Sequence, residues 1–97
     1  MPNVKIKSIK AGMENLHLTA NVVHVGDKRI VETRYGSADI AVAIIEDESG
    51  RIDLKLWRNQ IAKAKVGKMV RIEDAFASMF DGKLELNVGS RGRIEIL

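Results

Sequence analysis

No cysteine occurs in the 97 residues, which removes disulfides, thiolate nucleophiles and cysteine-based zinc sites and makes a reducing interior the natural compartment. Long apolar runs are missing as well, since none approaches the roughly 20 residues needed to span a bilayer. The start, Met1-Pro2-Asn3-Val4-Lys5, lacks the apolar stretch of a secretory signal, so a soluble, unprocessed, cytoplasmic chain without a membrane partner is expected. Nor is there a strong excess of charge. Sixteen basic against thirteen acidic residues leave a net +3, which permits a nucleic-acid partner without demanding one, so the distribution of charge has to decide.

Constellations for catalysis or metal binding are scarce too. His17 and His24 stand seven apart on one predicted strand with no cysteine nearby, which argues against a metal site. Glu46-Asp47-Glu48 lacks the spaced oxygen ligands and following glutamate of a calcium loop, and a turn accounts for it. No serine, histidine and acid set suggests a nucleophile, and no glycine-rich loop suggests a phosphate cradle. A non-enzymatic protein without a cofactor is expected.

What is present is a succession of strand patterns within one domain, 1–97, whose first dozen residues read as a lead-in that packs against the rest and ends at the turn Ala11-Gly12. Leu16, Leu18, Ala20 and Val22 alternate with His17, Thr19, Asn21 and Val23, predicting a long first strand that runs to Val25. Residues 28–39 are poor in apolar side chains and read as a strand end, a mobile basic loop and a return. Ile40 to Ile45 is continuously apolar, as in a strand covered on both faces. The turn Glu46 to Gly50 then leads into Ile52, Leu54 and Leu56, which alternate with Arg51, Asp53, Lys55 and Trp57. A short helix of about two turns is predicted over Asn59 to Val66, capped by Gly67. Met69 to Phe80 and Lys83 to Ile96 complete a hairpin about Asp81-Gly82. Three strands, a short helix and two more strands predict an all-β, five-stranded Greek-key barrel of the OB fold, with the helix between strands three and four.

One tryptophan, one tyrosine and two phenylalanines are the whole aromatic complement. Trp57 lies on the polar side of its strand, Phe76 and Phe80 in the second half of the fourth, and Tyr35 in the loop after the first. All four fall on or beside the face and loops that bind ligands in this fold. Phe76 has the parity of Val70 and Ile72 and would point inward unless a bulge near Glu73-Asp74-Ala75 reverses the phase. Spacing alone leaves open whether Phe76 and Phe80 are core or surface. Arg29, Arg34, Arg51, Lys55 and Lys83 surround the aromatics and could follow a phosphate backbone while bases lie on the rings, or be solvated charges at strand edges. Asp39 and Asp53 place negative charge where a basic residue would be easier to understand.

Several segments together carry a resemblance: Met13-Glu14-Asn15-Leu16, Glu46-Asp47-Glu48-Ser49-Gly50-Arg51-Ile52, Leu54-Lys55-Leu56-Trp57, Val70-Arg71-Ile72-Glu73-Asp74-Ala75-Phe76 and Leu86-Asn87-Val88-Gly89-Ser90. From about Met13 to Ile94 the chain resembles the archaeal single-stranded DNA-binding proteins of the simple, single-OB type, which are similar to the OB domains of replication protein A. The resemblance implies sequence-tolerant binding of single-stranded DNA in replication or repair, with Trp57, Phe76 and Phe80 as the rings on which bases stack. The family usually carries tryptophan where this chain has Phe76. By the same resemblance Arg29, Val31 and Arg34 are expected near backbone or bases; from their places beside the rings and the ligand loops, Tyr35, Lys55 and Lys83 are expected as further contacts. Members of the family continue into a glycine- and arginine-rich, then acidic, tail that recruits other proteins; this sequence ends at Leu97. RNA binding and a protein-interaction module in a larger complex are the alternatives.

Overall fold

A computed structural model describes residues 3–97, apart from the side chain of Ser90; Met1 and Pro2 of the lead-in lie outside the described residues. Six strands occur in chain order: β1 (Leu16–Val25), β2 (Arg29–Thr33), β3 (Gly36–Asp47), β4 (Gly50–Trp57), β5 (Met69–Phe80) and β6 (Lys83–Ile96). They pair in the order β1-β5-β6-β4-β3-β2, and an additional β1–β3 pairing closes five of them into a barrel. Closure depends on β1 changing partners at Asn21. Its first half, from Leu16, pairs with β5, and its second half, to Val25, pairs with β3. This is the five-stranded OB barrel that the element order predicts.

The alternating residues fill the barrel. Leu18, Val22, Ile45, Leu54, Leu56, Val70, Ile72 and Leu86 are the largest fully buried side chains. Each is worth about 1.5–3 kcal/mol in removed apolar surface, which makes the period-2 pattern decisive for strand register. Asp81 and Gly82 both have positive φ, the conformation of the two-residue turn that suits the twist of the β5–β6 hairpin.

Two segments differ from the sequence expectation. Residues 28–39 do not form a mobile loop: β2 and the start of β3 make a hairpin arm, paired from Arg29↔Ile40 to Thr33↔Gly36. Its turn is fixed by Thr33, whose Oγ1 donates to the Gly36 carbonyl at 2.7 Å and accepts from the Tyr35 N–H at 3.1 Å. Between β4 and β5 there is a 3-10 helix over Arg58–Lys63, shorter than the two-turn helix to Val66. Its N-cap residue, Trp57, has no side-chain oxygen to offer, and only Ile61 and Ala64, three apart, pack on the core. An anchoring period of three suits the 3-10 repeat. The lead-in packs against the barrel as expected, by the same logic: Ile6–Ser8 forms a 3-10 turn that buries Ile6 and Ile9. Among the described residues no helix is long and apolar enough to cross a membrane.

Candidate nucleic-acid interface

The outward side chains of β3, β4, β6 and β5 form one surface whose rows follow from the strand registers. Antiparallel β3 and β4 set Ile40 beside Trp57, Val42 beside Lys55 and Ile44 beside Asp53. Parallel β4 and β6 set Lys55 beside Asn87 and Asp53 beside Glu85. The β5–β6 ladder then adds Phe76 beside Asn87, Ser78 beside Glu85 and Phe80 beside Lys83. On the far side, Arg29 of the arm pairs with Ile40, so Arg29, Ile40 and Trp57 form a continuous row, with Val31 beside Ala38 one step along the same face. Val42 and Ile44 are half-buried rather than covered on both sides, and they floor this surface.

Phe76 reaches the surface because β5 gains a residue. Leu18 and Leu16 of β1, two apart, face Ile72 and Ala75 of β5, three apart, and Asp74 in between takes φ 55°. Ile72 and Ala75 both point inward as a result, and Phe76 points out, 40% exposed. The partner strand departs further: between Val88↔Ala75 and Arg93↔Glu73, residues 89–92 of β6 stand opposite Asp74 alone. Close contact fixes this excursion, since a Cβ on Gly92 would lie 2.8 Å from the Glu73 carbonyl oxygen, and one on Gly89 would lie 3.4 Å from the Phe76 ring.

The other rings are set by different means. Trp57 ends β4 half-buried, and the lone glutamine clamps the backbone there: Gln60 Oε1 accepts from the Trp57 N–H at 2.9 Å while its Nε2 donates to the Val88 carbonyl at 3.0 Å. Phe80 is 52% exposed near the end of the β5–β6 hairpin. Lys55 stands between them, its Nζ 4.4 Å from the Phe80 ring centre and 5.9 Å from that of Trp57. At the short distance this is a cation–π contact. The same ammonium lies 3.4 Å from Glu85, and both side chains are largely withdrawn from water, at 15% and 6% exposure. Lys83 is exposed but sits 3.2 Å from Asp53, which explains an acid in the middle of this surface. Asp39 is likewise answered by Lys28 at 3.8 Å, and Arg51 by Glu46 at 2.6 Å.

The structure therefore brings Trp57, Phe76, Phe80, Lys55 and Lys83 onto one face, with Arg29 and Val31 at its border. Arg34 and Tyr35 stand apart at the turn of the arm, where Tyr35 is 85% exposed. Two clefts flank Phe76. One, of about 560 Å³, is lined by Trp57, Arg58, Asn59, Gln60, Asn87 and Gly89; the other, of about 370 Å³, by Glu14, Asn15, Asp74, Ala75, Gly89 and Arg91. Arg58, Gln60, Asn87 and Arg91 carried no signal in strand periodicity. Gln60 alone had one, its position three residues after Trp57, where its amide can reach back to the strand end.

The sequence profile described as single-stranded DNA binding protein Ssb-like, OB fold, matches residues 9–96. The chain is 36% identical over 90 residues to the single-stranded DNA binding protein Ssb of Saccharolobus solfataricus, an alignment that takes in 93% of this chain and 61% of that protein. It thus spans about three-fifths of that relative's length. Among solved structures, an OB domain from Thermoplasma acidophilum superposes with a TM-score of 0.85 at 26% identity, covering 97% of this chain and 85% of that one. The replication factor A related protein of Methanobacterium thermoautotrophicum gives 0.82 at 27% identity, covering 99% of this chain and 91% of that one.

Proposed function

The chain belongs to the Ssb-like family of OB-fold single-stranded DNA-binding proteins, and on that premise we propose that it binds single-stranded DNA by stacking bases on Trp57, Phe76 and Phe80. The observation that carries this reading is the placement of all three rings on one barrel face, Phe76 by the bulge at Asp74. A stacked base gains about 1–3 kcal/mol whatever its identity, because every base has a flat face, so the reading is of a protein tolerant of sequence. Nothing in this mechanism requires bond making, and the protein acts as a binding protein rather than an enzyme. Its task would be to cover strands exposed during replication or repair.

The half-buried Trp57 is the only indole, so its fluorescence reports the site directly. Addition of a single-stranded oligonucleotide is expected to quench it, a duplex of equal length to do so poorly, and salt to weaken the effect. Phe76→Ala or Phe80→Ala should weaken binding about 5- to 150-fold, the equivalent of one lost stack. Unchanged fluorescence together with no gel shift at low salt would refute the reading. An RNA strand of the same sequence that competes equally would widen it to both nucleic acids.

A further inference from the structure

The cations nearest the rings are compensated. Lys55 cannot reach toward a phosphate without leaving Glu85 buried and unpaired, and Lys83 is engaged by Asp53. Beyond Arg29 at the border, a polyanion crossing this face must find its counter-charges elsewhere. Two exposed arginines that nothing so far assigns border the clefts on either side of Phe76: Arg58 beside Trp57, and Arg91 on the β6 excursion. Neither guanidinium forms an ion pair with a carboxylate of the described residues.

Arg58 also holds a backbone conformation that its residue type does not favour. Its φ is 51°, in the left-handed region where glycine or asparagine sits with less strain. A long cationic side chain at such a junction, beside a candidate stacking ring, is the kind of local cost that persists at functional positions. Arg91 is carried outward by residues 89–92, a segment whose shape is fixed by the contacts at Gly89 and Gly92. The two arginines thus line different clefts, and Phe76 lines both.

We propose that Arg58 and Arg91 are phosphate-binding residues, so that the path of the single strand passes Phe76 on both sides and continues into the cleft floored by Ala75. The inference rests on the reading of the protein as a single-stranded DNA binder. A guanidinium offers a planar pair of donors that matches a phosphate, which suits it to hold a backbone whose bases are turned toward the rings.

The test is the salt dependence of single-stranded DNA binding, followed by Trp57 fluorescence, in the unaltered chain and in Arg58→Gly, Arg91→Gln and Arg71→Gln. Arg71, paired with Glu95 in the first half of β5, serves as the remote control. Each lost phosphate contact should lower the slope of log K against log salt by about 0.7 for a single strand. That loss is expected for Arg58→Gly and for Arg91→Gln, with the Arg71→Gln slope unchanged. Because glycine relieves the left-handed backbone, Arg58→Gly should melt no lower than the parent, so its weaker binding cannot be ascribed to unfolding. Unchanged slopes in both variants, or an equal fall in Arg71→Gln, would overturn the proposal and leave the binding function standing. Absence of binding by the unaltered chain would remove both.

Discussion

Glu85 is a carboxylate almost cut off from water, and the ammonium of Lys55 at 3.4 Å is what makes its burial tolerable. Removing one partner of such a pair costs far more than the pair contributes, because the other charge is left without compensation. Lys55→Ala is therefore expected to lower unfolding stability by about 3 kcal/mol in a urea titration, whereas Lys55→Met combined with Glu85→Leu should recover most of the loss. Equal stability of Lys55→Ala and the parent would show that the pair is solvated. In sequence Lys55 is one of three charged residues alternating with Ile52, Leu54 and Leu56, and nothing marks it as enclosed. The enclosure comes from topology. β6 lies between β4 and β5, so Glu85 on its outward side is hemmed in by residues of both neighbours. Trp57, by contrast, is legible from parity alone, since nothing after it on β4 can shift its phase.

At the scale of elements, the two hairpins of the barrel were readable because their strands bury alternating aliphatics and their turns carry local signals, Asp81-Gly82 above all. The arm was not, because β2 contributes nothing to the core: it pairs only with β3, and its Ile30 is 72% exposed. A strand held by one ladder alone leaves no apolar period to find. The irregularity that turns Phe76 outward was half legible. Parity alone turned Phe76 inward, and only the resemblance called for an extra residue in β5; Asp74 supplies it, but the larger excursion over residues 89–92 of β6 has no periodic trace. Glycines mark its limits. Gly92→Ala would drive a methyl against the Glu73 carbonyl oxygen and Val88 Cγ1, both 2.8 Å from the new atom. Accommodating it should cost about 1–3 kcal/mol in chemical denaturation, as overpacking generally does. Since Gly92 lies against the backbone of Glu73 and Asp74 at the bulge, affinity for single-stranded DNA should fall as well, beyond what a stable control with equal loss elsewhere shows.

For the molecule as a whole, one turn ties the lead-in to the barrel. Asp47, at the end of β3, accepts from the Ile6 N–H at 3.0 Å and from the Ser49 hydroxyl at 2.6 Å and N–H at 2.7 Å. Ser49 Oγ in turn accepts from the Lys7 N–H at 3.0 Å, and Lys5 pairs with Glu48. These bonds hold Ile6 and Ile9 against the core. Partial burial by itself would raise the Asp47 carboxyl, but the donors from Ser49, Ile6 and Gly50 outweigh it and hold the group below its usual 3.8. A carboxyl with a lowered value in the folded state stabilises that state wherever it is ionised. The contribution is complete above the unfolded value and is lost as pH falls through the folded one. Asp47→Asn keeps the shape but cannot titrate. The stability difference between parent and Asp47→Asn should therefore be constant above about pH 5 and shrink as pH drops below 3.8, read as melting temperature against pH. A difference that stays flat down to pH 2.5 would mean that the latch does not depend on the charge of Asp47. The acidic run Glu46-Asp47-Glu48 reads in sequence as a solvated turn, and its partner, a 3-10 turn some 40 positions earlier, bears no local mark of the contact. Long-range polar anchoring of this kind becomes visible only once the barrel closes.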